Sequence, residues 1–149
     1  MTTSTFWHAF PDFQPNPAAR ITEEFKRLAA HRGWKSGSRT WRKRWNAFTN
    51  IEYDRIIGSS LTSLGSWNEL CAMLSLPGPF PSITQCKKAL SKVYVNLVDV
   101  VECRALGIKP KRFKSVAQLA SYTRKTGKFF NRDLAKQDML LRVLLRKLL

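Results

Sequence analysis

Ser115-Val116-Ala117-Gln118-Leu119-Ala120-Ser121-Tyr122-Thr123-Arg124-Lys125-Thr126-Gly127 is the stretch whose reading settles the fold class. A serine followed three residues later by glutamine is a capping box, in which each side chain satisfies an orphan amide at the other position. Gly127 supplies the left-handed stop at the far end. The same start recurs as Ser82-Ile83-Thr84-Gln85 and, with Glu in the last place, as Ser66-Trp67-Asn68-Glu69. Ser82 and Ser115 are 33 positions apart, a helical-repeat period. The match ends at the helix start, so it reads as shared cap chemistry and not as a solenoid.

Outward from this stretch the pattern stays helical. Ile21, Phe25, Leu28 and Ala29 recur at spacings of three and four and stop at Gly33. Asn16-Pro17 offers one start for that helix and Thr22-Glu23-Glu24 a later one. Gly37-Ser38 opens the next helix, with Trp41, Trp45 and Phe48 on one stripe, Tyr53 and Ile56 beyond, and Gly58 as its stop. A short helix from Ser66 through Leu70, Cys71 and Leu74 closes at Pro77-Gly78-Pro79. Asn96 caps a helix that Gly107 ends, and Asn131 caps a last one from about residue 132 to 149. Val93-Tyr94-Val95 alone has strand composition and is too short to predict a sheet.

The predicted architecture is all-α: a compact single domain of six or seven helices over 18–149, with residues 1–17 as an N-terminal arm. Phe6, Trp7, Phe10 and Phe13 alternate there with Pro11, Pro15 and Pro17. Proline blocks regular pairing while four large rings favour burial, so the arm is expected to pack on the helices.

The chain has 149 residues, a length typical of one domain, and a 44% hydrophobic content with 17 aromatic rings argues against disorder. Three cysteines at 71, 86 and 103 are odd in number and widely spaced, which reads as reduced thiols and an intracellular setting. The N-terminal residues lack the pattern of a secretory signal, and no run approaches the length of a membrane span.

Reaction chemistry finds no foothold. Closely spaced Cys/His pairs, which a zinc site needs, are missing, and each cysteine falls on an apolar helical phase. Glu23-Glu24 and Asp99 complement helix dipoles, while Glu102, Asp133 and Asp138 have Lys or Arg nearby and read as solvated partners. The chain contains no Gly-rich phosphate loop, nucleophile elbow or His-Glu-x-x-His. The expectation is a protein without catalytic residues, metal or cofactor.

Charge is the remaining signal. From Pro81 onward 16 Lys and Arg stand against 4 Asp and Glu, so this part supplies +12 of a formal net charge of +16. Such a field attracts a polyanion, of which nucleic acid is the commonest in a cell. The densest run is Lys109-Pro110-Lys111-Arg112-Phe113-Lys114, which Pro110 places in a loop ahead of Ser115. Free amides and the dipole at the following helix start add to its side-chain charge. A solvated surface and a nuclear-import patch are its other readings.

Arg124, Lys125 and Lys128 surround Gly127 as a second cluster. Phe129 and Phe130 beside it read as core in preference to base-stacking surfaces. Arg39, Arg42, Lys43 and Arg44 lie among Trp34, Trp41 and Trp45 as a third. There the tryptophans are assigned to the core, with Arg39 and Lys43 pointing away from them. A helix-turn-helix over 97–125 is disfavoured, because the connection from Gly107 to Ser115 exceeds the tight turn of that motif.

The last helix is apolar around most of its circumference, with Leu134, Leu141, Leu145 and Leu148 on one stripe. Leu140 and Leu144 lie on a second flank, and Met139 and Val143 on a third. Such a helix is either central to the core or covered by another chain, so Met139, Leu140, Val143 and Leu144 form a candidate protein or homodimer interface.

Several segments carry a resemblance: Ile21-Thr22-Glu23-Glu24-Phe25-Lys26-Arg27-Leu28-Ala29, Trp67-Asn68-Glu69-Leu70-Cys71 and Ser82-Ile83-Thr84-Gln85-Cys86-Lys87-Lys88-Ala89-Leu90. Val95-Asn96-Leu97-Val98-Asp99, Lys128-Phe129-Phe130, Ala135-Lys136 and the Leu-Leu-Arg end complete it. Over residues 6–149 the chain resembles a family of small helical proteins of filamentous ascomycete fungi. The resemblance implies an intracellular eukaryotic helical domain and carries over no functional residue. The leading expectation is therefore a non-enzymatic, nuclear (alternatively cytoplasmic) domain that holds nucleic acid by its phosphates, with no membrane partner.

Overall fold

The computed structural model describes residues 4–131 together with Asp138 and Leu140. These residues form six α-helices: α1 Ile21–Arg32, α2 Arg39–Ile56, α3 Leu64–Met73, α4 Ile83–Leu90, α5 Leu97–Leu106 and α6 Val116–Thr126. The all-α expectation holds, with one addition. Strands β1 Tyr94–Val95 and β2 Arg112–Phe113 pair antiparallel, Tyr94 opposite Phe113 and Val95 opposite Arg112. Local composition could not show this pairing because the partner strand lies in the basic run.

Helix starts follow cap chemistry. Ser38, Ser82, Asn96 and Ser115 each accept a hydrogen bond from the amide three residues on, at 3.1–3.2 Å. Ser66 is corrected from cap to third residue. Ser63 caps α3, accepting from the Ser66 amide at 3.2 Å while the Ser66 hydroxyl accepts from the Ser63 amide at 3.1 Å. Asn16-Pro17 is a turn and not a helix start: Asn16 Oδ1 accepts from the Ala18 amide at 3.0 Å. Helix α1 begins at Ile21 with no side-chain cap from Arg20. Its cap comes from α5, where Glu102 Oε2 accepts from the Thr22 amide at 3.1 Å and the Thr22 hydroxyl at 2.5 Å.

Two apolar clusters meet at α5. The aromatic one joins Phe6, Trp7, Phe10 and Phe13 of the arm to Phe25 and Leu28 of α1, Trp45 and Phe48 of α2, and Val98 of α5. Phe25 stacks on Phe48 at 5.3 Å between centroids and meets Trp45 edge-on at 5.0 Å. The arm is thereby packed as expected. Polar ties reinforce it: Arg27 Nη2 donates to the Gln14 carbonyl at 2.5 Å, and Glu24 Oε2 accepts from the Asn16 amide at 2.6 Å.

The second, mainly aliphatic cluster runs from Tyr53 through α3, α4 and β1 to Leu97, Val100 and Val101, and includes Leu140. Every residue from Leu97 to Cys103 is buried, so the first two turns of α5 are surrounded on all sides. Cys71, Cys86 and Cys103 are free and buried as small apolar residues, and burial pushes the Cys71 thiol up to about 12. The predicted helix over 132–149 lies outside the described residues except for Asp138 and Leu140.

Candidate nucleic-acid interface

The basic run 109–114 is held from three directions. Pro110 is buried, and the Arg112 backbone pairs with Val95 in the two-strand ladder. Lys109 Nζ donates to Ser75 Oγ at 3.1 Å, and Arg112 Nη1 to the Leu74 carbonyl at 3.2 Å. Both cations thus sit at the C-terminal end of α3, where carbonyls without intrahelical partners attract positive charge. The expected loop is in this way a short strand followed by a cap. Gln118 Oε1 accepts from the Lys114 amide at 3.2 Å, one residue before the Ser115 amide that a standard box would use.

In front of α6 this run and the helix border a shallow open groove. Lys111, Arg112, Lys114 and Lys125 line it, with Phe113 and Tyr122 as walls whose rings are 4.9 Å apart. No acidic residue is among its lining. Lys111 Nζ lies 5.3 Å from the Phe113 centroid, a cation–π distance. Gln118, Ser121, Tyr122 and Lys125 reach the groove from one face of α6. Of these four the sequence reading makes only Lys125 a phosphate contact, although their three- and four-residue spacing was the available signal.

Lys128 stands apart from the other predicted contacts. Its ammonium is 2.8 Å from Asp99 Oδ1 and 3.1 Å from the Tyr122 hydroxyl, which itself donates to Asp99 Oδ2 at 2.6 Å. Desolvation pushes its pKa down, but bonds to Asp99 and Tyr122 outweigh that, and the net shift is upward. Lys128 is an internal ion-pair partner and not a free surface cation. Arg124 remains exposed beside Lys125.

The α2 cations Arg39, Arg42, Lys43 and Arg44 are all exposed. Arg44 lies 5.4 Å from the Phe10 ring and 5.8 Å from Trp34, which ties part of this group to the arm. Trp41 stacks on Trp45 at 5.4 Å, and the Trp45 indole donates to the Phe129 carbonyl at 2.8 Å. The tryptophans therefore belong to the core side, as expected. Phe129 and Phe130 divide: Phe130 packs against both clusters, whereas the Phe129 ring is 54% exposed and leaves the core assignment.

The acids explain which cations are left over. Asp12 pairs with Arg32, Glu24 with Arg27, Glu52 with Arg55, Glu69 with Arg104, Asp99 with Lys128, and Glu102 with Arg20. Glu102 is 1% exposed, which overturns its reading as a solvated residue; it was placed by its neighbours in sequence, not in space. Asp138 accepts from the Tyr53 hydroxyl at 2.8 Å, so it too has a structural partner. Among the described residues, Lys111, Arg112, Lys114, Arg124 and Lys125 enter no ion pair with an acid.

Of the candidate interface, Met139, Val143 and Leu144 lie outside the described residues. Leu140 is 1% exposed in the aliphatic cluster, so its side chain is used within the fold and not offered to a partner. No group of three or more His, Cys, Asp or Glu assembles among the described residues, and none of their helices is long and apolar enough to cross a membrane. Comparison with protein-family models, curated proteins and solved structures returned no match to this chain.

Proposed function

We propose that the groove in front of α6 associates with nucleic acid by its phosphates. One observation carries the reading: Lys111, Arg112, Lys114 and Lys125 converge on an open groove that no acid lines. The N-terminus of α6 adds backbone dipole to the same place. Lys109 and Arg124 are exposed and close to these residues in sequence, and they complete the proposed contact set. Arg39, Arg42, Lys43 and Arg44, all exposed on α2, are a second basic surface in this reading. Lys128 is withdrawn from the contact set, because Asp99 already neutralises it. The same exposed run suits nuclear import, which makes the nucleus the proposed location.

Contacts to phosphate position a strand without reading its sequence, so weak sequence preference is expected. Changing Lys111, Arg112 and Lys114 together to Gln is expected to weaken DNA and RNA binding. It is also expected to flatten the slope of log affinity against log salt by about 2–3, the counterions released by three phosphate contacts. Unchanged affinity and slope in a titration against duplex, single-stranded and RNA oligonucleotides would refute the assignment. The competing interface on the last helix draws no support from Leu140, the one candidate with a described side chain.

A further inference from the structure

We infer that the groove in front of α6 takes single-stranded nucleic acid, with an unpaired base stacked on the Phe113 ring beside the phosphate contacts, a step that rests on the phosphate reading of the same groove. Two rings and four cations meet there: Phe113 and Tyr122 line the groove together with Lys111, Arg112, Lys114 and Lys125.

Phosphate contacts alone have no use for rings. In the two apolar clusters Phe25, Phe48 and Tyr53 are at most 2% exposed, whereas Phe113 and Tyr122 belong to neither cluster and stay half-buried. Their centroids are 4.9 Å apart with the planes tilted by 43°, one ring on β2 and the other on α6. Both are held. The Tyr122 hydroxyl donates to Asp99 Oδ2 at 2.6 Å and accepts from Lys128 Nζ at 3.1 Å, and the Phe113 backbone pairs with Tyr94 in the ladder. A wall fixed in this way has little freedom left to lose when a ligand arrives.

The Phe113 ring is reached from solvent. Exposed Lys111 places its Nζ 5.3 Å from the ring centroid, a weak contact at such a site. A base can take that place while the ammonium passes to a phosphate. Stacking needs a base with a free face, which an unpaired strand offers and a duplex hides between its own base pairs. Rings beside a cationic groove are the combination that tracks a single strand with little regard to sequence. Gln118 and Ser121 border the same groove and supply side-chain hydrogen-bonding groups.

The test uses the full chain with three probes: a thymidine octamer, an octamer of abasic residues carrying the same phosphates, and a DNA duplex. The thymidine octamer is expected to bind about fivefold or more tightly than the abasic one, the lower end of the range for one stacked base. Phe113→Leu is expected to abolish that difference and leave duplex affinity within about twofold, with the salt slope unchanged because no phosphate contact is lost. Equal affinity for the two octamers, or an equal loss on octamer and duplex in Phe113→Leu, would overturn the stacking. The phosphate reading survives either result if changing Lys111, Arg112 and Lys114 to Gln still weakens binding. No binding to any probe, or no effect of that triple change, overturns both. The octamer comparison uses the unaltered chain, so it decides the matter even should Phe113→Leu fail to fold.

Discussion

On α5, Asp99 and Glu102 are buried and each holds groups from a distant part of the chain, whereas Lys111 and Lys114 ahead of α6 and Lys125 on it are exposed and pair with no acid among the described residues. The acidic positions are few, and the fold uses them to join segments. Glu102 fastens the start of α1, and Asp99 fastens the end of α6 through Tyr122 and Lys128. Arg112 reaches the Leu74 carbonyl and Lys111 the Phe113 ring, but no acid lines the groove these cations share, so their mutual repulsion is not offset there by an ion pair. Charge in the first region is structural; in the second it is available for binding.

The contrast is broken most forcefully at Glu102. Glu102→Ala removes the cap of α1 and is expected to cost about 2–3 kcal/mol, the range for a charged hydrogen-bonded cap, read from the denaturant midpoint. A loss below about 0.5 kcal/mol, the size of an ordinary surface substitution, would return Glu102 to the solvated class.

Lys128 and Lys125, three positions apart, give a closer comparison. Lys128→Gln is expected to lower stability by about 1 kcal/mol and leave the salt slope of binding unchanged. Lys125→Gln should keep stability within about 0.5 kcal/mol and reduce the slope by about 0.7–0.9. Matching profiles for the two variants would erase the distinction between internal and external cations.

Acid titration sharpens the structural side. The Arg27 guanidinium beside Glu24 holds its carboxyl below the ordinary value of 4.5, an effect that outweighs desolvation. A depressed carboxylate stabilises the fold above its unfolded value, so stability is expected to hold down to about pH 4.5 and fall as pH drops further. Glu24→Gln should flatten that limb in pH-dependent denaturation. At the alkaline end Lys128, raised above 10.5, contributes up to that pH and loses its contribution above it. The smallest effect is expected on α2, where Arg39→Gln with Lys43→Gln should change the salt slope by less than the triple change at 111, 112 and 114. An equal or larger change would move the main contact surface to α2.

Much of the helical layout was legible because its signals are local. Ser38, Ser82, Asn96 and Ser115 mark helix starts through bonds to amides three residues away, and Gly107 and Gly127 end helices in the left-handed region at φ 71° and 70°. The arm was legible for a related reason, since four large rings crowded into one short segment favour burial wherever that segment packs. Ser66 and Asn16 misled because each has the right chemistry close to a competing partner. The rim was legible as a basic run, but its ladder with Tyr94 and Val95 was not, and neither was the tie of Arg112 to the Leu74 carbonyl.

Composition and near-neighbour spacing settle the all-helical class, the packed aromatic arm, the buried thiols and the excess of positive charge, since each follows from residue types and their local order. Which charges are paired inside the fold depends on contacts between segments far apart in the chain. Lys128 and Lys125 look alike along the chain, and so do Glu102 and any surface glutamate. Their roles separate when the buried first turns of α5 bring carboxylates against α1 and the end of α6. An ion pair depends on distance in space, which neighbours in sequence do not specify.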